Sequence, residues 1–139
     1  MEHIAFLSKK LDLLNKIISR EKTIESRWYV NKKPPYNSIS INDVIYFKNS
    51  GEPVSVKTKV ENVIFYNNLN EEKIRKIISQ YGKEICIDMD YLINIKEKRL
   101  CTLIFLKDVK KIEPFEINKK GYGNMCAWIS IDDVQKIKL

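Results

Sequence analysis

The polar side chains that could do chemistry are densest in one stretch of the sequence, Lys22-Thr23-Ile24-Glu25-Ser26-Arg27-Trp28. Side chains of an extended strand alternate between its two faces, which predicts Glu25 and Arg27 on one face and Lys22 on the other. A carboxylate beside a guanidinium and a hydroxyl offers acceptors and donors to a nucleic-acid base or a ribose. The simpler interpretation is a solvated strand with a local ion pair between Glu25 and Arg27.

Five aromatic side chains are candidates for stacking on a base: Trp28, Tyr29, Tyr46, Tyr122 and Trp128. Tyr122 stands between two glycines and no local pattern buries it, so stacking on a ligand and plain exposure are equally good interpretations. Trp128 has apolar neighbours in a predicted strand, which favours a core position over a binding pocket. Trp28 fits either role.

The sequence lacks the residues for several common catalytic and cofactor sites. His3 is the only histidine, and no cysteines are paired at metal-ligand spacing, which argues against a zinc site or a histidine-based triad. The four glycines, at positions 51, 82, 121 and 123, fit neither a Walker loop nor a dinucleotide fingerprint. We therefore expect no metal and no cofactor, and we expect the three cysteines to be reduced, buried thiols.

The composition predicts one domain with a basic surface. The chain has 139 residues, close to the commonest size of a single domain, and we expect residues 1–139 to form one. Lysine and arginine number 25 against 18 aspartate and glutamate, a formal charge of +7, which favours a polyanionic partner. No apolar run approaches the ~20 residues that cross a bilayer. We expect a cytoplasmic protein that does not bind membranes.

Hydrophobic periodicity predicts the elements that position these residues. The first half reads as a strand at 3–7, a helix from Ser8 to Arg20, a strand at 43–48, a turn at 49–51 and a strand from Val54. Apolar positions change parity after Val60, which predicts a β-bulge. The second half reads as a helix from Asn70 to Gly82, a short helix from 88, a buried strand at 100–106, a charged hairpin and a last strand at 127–129. These elements predict an α+β domain whose five or six strands curl into a small barrel with flanking helices.

The order of these elements and motifs resembles the ASCH domains of the PUA-like superfamily. Members commonly open with a Lys-Thr-x-Glu-x-Arg stretch, here residues 22–27, and continue with an Asp-x-Ile/Val strand, here residues 43–45. Gly121-Tyr122-Gly123 and Ala127-Trp128 also look like family features. The resemblance covers nearly the whole chain and implies a small PUA-like β-barrel with a cleft.

By this resemblance, the protein is expected to bind RNA or a modified nucleotide in a basic, aromatic-lined cleft. The residues expected to form the cleft are Lys22, Glu25, Arg27, Trp28, Tyr46, Lys48, Ser50, Tyr122, Asn124 and Trp128. If Glu25 lines a solvent-filled cleft, replacing it with alanine leaves stability nearly unchanged.

Other function classes remain open. Some similar proteins are metal-independent amidohydrolases that deacylate N4-acetylcytidine, which makes Lys22, Thr23 and Glu25 candidate catalytic residues. Their motif is Lys-Thr-x-Thr-x-Arg, and here Glu25 stands where their nucleophilic threonine would be. A carboxylate does not replace an activated hydroxyl. A ribonuclease and a protein-interaction module are further alternatives, but the favoured prediction is a binding module rather than an enzyme.

Overall fold

A computed structural model describes residues 1–123 and 125–139 of the chain. The strands are β1 (Glu2–Leu7), β2 (Ile24–Tyr29), β3 (Val44–Asn49), β4 (Val54–Tyr66), β5 (Leu100–Phe115) and β6 (Trp128–Ile131). The helices are α1 (Leu13–Ile18), α2 (Glu71–Ile85) and α3 (Leu92–Ile95), with single 3-10 turns at Lys9–Leu11, Met89–Tyr91 and Val134–Lys136.

The six strands form one curled sheet in the order β2-β5-β4-β3-β1-β6. β1 is parallel to β3, and the other neighbouring strands are antiparallel. This arrangement confirms the predicted α+β class, and the six strands curl into a half-barrel. The strands β2 and β6 are the two edges of the sheet. We call the space between these two edge strands the seam.

Three apolar clusters hold the elements together. Inside the curl, alternate residues of β1, β3 and β4 pack on α1 around Ile45 and Phe47, which are both fully buried. Outside β2 and β5, α2 and α3 pack on Leu103 and its neighbours. On the outer face of β1 and β3, the segment from Ile112 to Ile137 covers Ile4 and Tyr46.

The predicted β-bulge is confirmed, but three other local predictions are wrong. The pairing of β4 with β5 shifts register between Val60 and Asn62, where the apolar parity changes. The first helix is interrupted at Asp12, which adopts a left-handed conformation with φ 54° and separates a 3-10 turn from α1. Ser8, where this helix was predicted to begin, makes no side-chain capping hydrogen bond.

The other two corrections concern where elements end. Gly82 does not end α2, which continues to Ile85 and is terminated by Cys86 at φ 68°. Glycine is instead required because a Cβ there would lie 2.7 Å from the carbonyl oxygen of Ile87. The predicted charged hairpin after residue 106 is absent, because β5 passes a left-handed Asp108 and continues along β4 to Phe115.

Candidate functional site

Glu25 is the centre of a buried ion network. Its Oε1 lies 3.2 Å from Lys22 Nζ, and its Oε2 lies 2.8 Å from Arg27 Nη2 and accepts a second bond from Arg27 Nε. The side chains of Lys22 and Glu25 are only 2% and 4% exposed. The expectation that Lys22 faces away from Glu25 is therefore wrong. Lys22 precedes the first residue of β2, so strand alternation does not apply to it.

The protonation of this network follows from its charges. Burial of Glu25 opposes ionisation, but the positive charges of Arg27 and Lys22 outweigh it and hold the pKa of Glu25 below its usual value. Lys22 Nζ also donates to the carbonyl oxygens of Ile24 and Ile85, at 2.9 and 2.7 Å. The three partners match the three donors of an ammonium group. Lys22 and Glu25 are thus paired with each other rather than directed at solvent.

Arg27 connects the two edges of the sheet across the seam. Its Nη2 donates to the carbonyl oxygen of Phe6 in β1, and its Nη1 donates to that of Ala127, which precedes β6, each at 3.2 Å. The guanidinium carbon lies 5.1 Å from the centre of the Trp128 ring, a cation–π distance. Since Glu25 holds the other side of the guanidinium, Arg27 is fixed in position before any ligand arrives.

A basic, aromatic cleft of about 460 Å³ opens at this seam. We call it the seam cleft, and its principal lining residues are Arg27, Tyr29, Lys33, Tyr122 and Trp128. Lys33 Nζ lies 5.9 Å from the centre of the Tyr29 ring. Tyr122 is 39% exposed and is carried by a turn in which its N–H donates to the carbonyl oxygen of Lys119. The cleft therefore combines the fixed charge of Arg27 with one accessible aromatic ring, that of Tyr122, because Tyr29 and Trp128 are buried.

A larger depression, of about 740 Å³, lies on the other side of the network between α1, β2 and α2. Its lining includes Glu21, Asp88 and Asp90 as well as Lys16 and Lys83. Lys22 and Glu25 also reach its wall but neutralise each other. Its mixture of charges offers an anion no net attraction, so the seam cleft is the better candidate site for one.

The expected site residues fall into separate groups. Arg27, Tyr122 and Trp128 line the seam cleft. Trp28 packs against the cluster of α2, and its Nε1 donates to Ser26 Oγ at 2.9 Å. Thr23 lines a third depression beside Phe105.

The remaining expected residues lie along β3 and in the last loop. Tyr46 and Lys48 are buried on the outer face of the sheet, where Tyr46 packs edge-on against Phe115 at 5.7 Å between ring centres. Ser50 is exposed in the turn after β3. Asn124 lies outside the described residues. The expected residues therefore do not all converge on one cleft.

Sequence reasoning missed a second buried polar group. His3 Nε2 is 2.8 Å from Asp43 Oδ2, and Nδ1 is 2.9 Å from Ser130 Oγ and 3.2 Å from Trp128 Nε1. Burial lowers the pKa of His3, although the hydrogen bond with Asp43 opposes that shift. His3 is held in place because β1 is paired on both sides, with β3 and with β6. His3 and Ser130 hold the Trp128 ring in place, because both accept from its indole N–H.

Two residues of the seam cleft were also not among those expected to form it. Tyr29 continues the alternation of Glu25 and Arg27 along β2, and that periodicity could have identified it. Lys33 lies in the proline-containing loop after β2, and only the folding of that loop onto the Tyr29 ring places it in the cleft.

In residues 1–123 and 125–139, no three histidine, cysteine or acidic side chains lie together as a metal ion would require. No helix in the same residues has the length and apolar character needed to span a bilayer.

Comparison with known proteins identifies the fold. No protein-family model matches the sequence, and no curated protein matches it. The crystal structure of ASCH from Zymomonas mobilis is similar with a TM-score of 0.71 and 15% identity, covering 97% of this chain and 90% of that one. A variant of that protein with one tyrosine changed to phenylalanine gives a TM-score of 0.71 at 15% identity, covering 97% and 93%. A variant with one serine changed to alanine gives 0.70 at 16%, covering 97% and 91%. The chain has an ASCH-like fold, as the sequence resemblance implied.

Proposed function

We propose that this protein binds single-stranded RNA or a modified nucleotide and that the seam cleft receives one unstacked base. The arrangement of Arg27 carries the proposal. Its guanidinium is held by Glu25 and by two backbone carbonyls, lies over the Trp128 ring, and forms part of a cleft with Tyr122. A fixed cation beside an exposed aromatic ring is a combination with which proteins bind unpaired bases.

Each part of the cleft suits one part of a nucleotide. Tyr122 presents a ring on which a base can stack, and stacking of this kind contributes about 1–3 kcal/mol per base. Lys33, exposed at the rim, can neutralise a backbone phosphate. The ASCH-like fold and the formal charge of +7 support the same partner.

Binding of fluorescein-labelled oligouridylate, measured by anisotropy at several salt concentrations, tests the proposal. We expect Tyr122→Ala to weaken binding by roughly tenfold, as the loss of one stacked base predicts. Lys33→Ala should also weaken binding and should reduce the steepness of the salt dependence, because one fewer counterion is released. Lys76→Ala is the matched control, since Lys76 is a highly exposed lysine on α2, away from the cleft.

Two results would overturn the proposal. One is no binding of oligouridylate at low salt by the unmodified protein. The other is binding that Tyr122→Ala and Lys33→Ala reduce no more than Lys76→Ala does.

The geometry gives no comparable support to the amidohydrolase alternative. A catalytic lysine needs a free, positioned amine, but all three donors of Lys22 have partners within 3.2 Å. Thr23 lines a different depression from Lys22 and Glu25. We therefore favour a receptor for an intact base over a hydrolase.

A further inference from the structure

A pair of lysines on the outer face of the barrel shares one aromatic ring. Lys48 Nζ lies 5.0 Å and Lys119 Nζ 5.1 Å from the centre of the Phe6 ring. The charge of Lys119 acts against that of Lys48, and one phenylalanine ring is only a weak partner for two cations. Neither lysine forms a salt bridge within the described residues.

Lys48 is the unusual member of the pair, because it is only 5% exposed. No hydrogen bond from its ammonium group is found in the part of the chain that the structure describes. Burial, together with the charge of Lys119, lowers the pKa of Lys48, while the carboxylate of Glu116 opposes the shift. A partly desolvated ammonium without a counterion is unfavourable, and an anion that binds beside the two lysines would reduce that cost.

This lysine pair adjoins the seam cleft. The backbone N–H of Phe6 donates to the carbonyl of Ala127, and the carbonyl of Phe6 accepts from Arg27, both of which line the cleft. Lys119 accepts the turn hydrogen bond from the N–H of Tyr122, the proposed stacking residue. Phe6 and the turn at 119–122 thus link the lysine pair to the seam cleft through backbone hydrogen bonds.

We infer that Lys48 and Lys119 form a phosphate-binding subsite for the nucleotide whose base occupies the seam cleft. The inference rests on the proposed function and narrows it, because it makes a phosphorylated nucleotide or an RNA strand, and not a free base or nucleoside, the preferred partner. Two ammonium groups around one phosphate provide the charge-assisted hydrogen bonds that phosphate oxygens accept.

Isothermal titration of each common nucleoside and of its 5′- and 3′-monophosphates tests the inference. We expect a monophosphate to bind the unmodified protein at least about tenfold more tightly than its nucleoside, as charged hydrogen bonds imply. Lys48→Met and Lys119→Met should each remove most of that preference and leave nucleoside affinity unchanged. Lys138→Met is the matched control, because Lys138 lies alone over the Phe115 ring at 4.8 Å.

Thermal unfolding distinguishes a phosphate-binding role of Lys48 from a structural one. Replacing Lys48 should raise the Tm in the first case and lower it in the second. In phosphate-free buffer, Lys48→Met should raise the Tm, because it removes an unpaired and partly desolvated charge and keeps the buried apolar stem. Inorganic phosphate alone should raise the Tm of the unmodified protein more than that of the variant. A lower Tm for Lys48→Met in phosphate-free buffer would contradict the inference.

The outcomes separate the inference from the proposed function. If nucleosides bind in a Tyr122-dependent manner but Lys48→Met keeps the preference for monophosphates, the subsite is wrong and the cleft stands. A second outcome is that no nucleoside binds, while inorganic phosphate raises the Tm only when Lys48 is present. The proposed base site would then be wrong. The inference would also be overturned, because the lysine pair would bind an anion but not a nucleotide.

Discussion

Replacing Glu25 with alanine should destabilise the protein strongly. The substitution leaves the Lys22 ammonium, whose side chain is 2% exposed, and the Arg27 guanidinium, whose side chain is 14% exposed, without their shared carboxylate. Removing one partner of a buried ion pair costs about 3–5 kcal/mol. Arg27 reaches the seam cleft and can be partly resolvated, so we expect about 3–4 kcal/mol for Glu25→Ala. The earlier expectation of an almost unchanged stability assumed a solvated Glu25.

Urea unfolding followed by tryptophan fluorescence measures this effect. Glu71→Ala is the matched control, because Glu71 is 51% exposed and pairs with Arg75 one helical turn away. Such an exposed pair contributes only about 0.3–0.5 kcal/mol. A loss for Glu25→Ala no larger than that for Glu71→Ala would refute the buried network.

The pH dependence provides an independent check on the same network. The pKa of Glu25 is lower in the folded protein than in the unfolded chain, so its contribution is present above the unfolded value of about 4.3. The contribution disappears as pH falls through the folded value. The difference in stability between the unmodified protein and Glu25→Gln should therefore shrink below about pH 4. A difference that stays constant down to pH 2 would contradict this account.

Three further predictions concern the core, the buried histidine and catalysis. Leu103→Ala, at a fully buried position beneath α2, should cost about 2–5 kcal/mol in urea unfolding. Because burial lowers the pKa of His3, the unfolded chain binds a proton more readily, and stability should fall as pH decreases below about 6.5; His3→Gln should flatten this dependence. N4-acetylcytidine should be hydrolysed slowly or not at all in a chromatographic assay, and rapid turnover that Lys22→Ala abolishes would contradict a binding role.

Elements with strong local signals could be predicted from the sequence. Asn70 caps α2 through a 2.9 Å hydrogen bond to the N–H of Lys73, and the alternation of valines in β4 matches its buried face. The continuation of β5 past residue 106 could not be predicted. Residues 107–115 of β5 are mostly charged and show no strand periodicity of their own. They continue the strand because they pair with β4.

The candidate site was only partly predictable for a related reason. The motif identified Glu25 and Arg27, and both are central to the site. Their roles depend on groups from distant segments, namely the carbonyls of Phe6, Ile85 and Ala127. The β-rich run at 43–48 predicted the strand that contains Tyr46 and Lys48, but it could not show that their face is covered by residues nearer the C-terminus.

The two tryptophans allow the most direct test of the proposed base site. The chain contains only Trp28 and Trp128, and their indole N–H groups give separate signals in a ¹⁵N-correlated NMR spectrum. Trp128 lines the seam cleft, whereas Trp28 lies on the side of β2 that faces α3. Titration with uridine 5′-monophosphate should shift the indole signal of Trp128 and leave that of Trp28 in place. A shift confined to Trp28, or no shift of either signal at millimolar nucleotide, would contradict the seam cleft as the binding site.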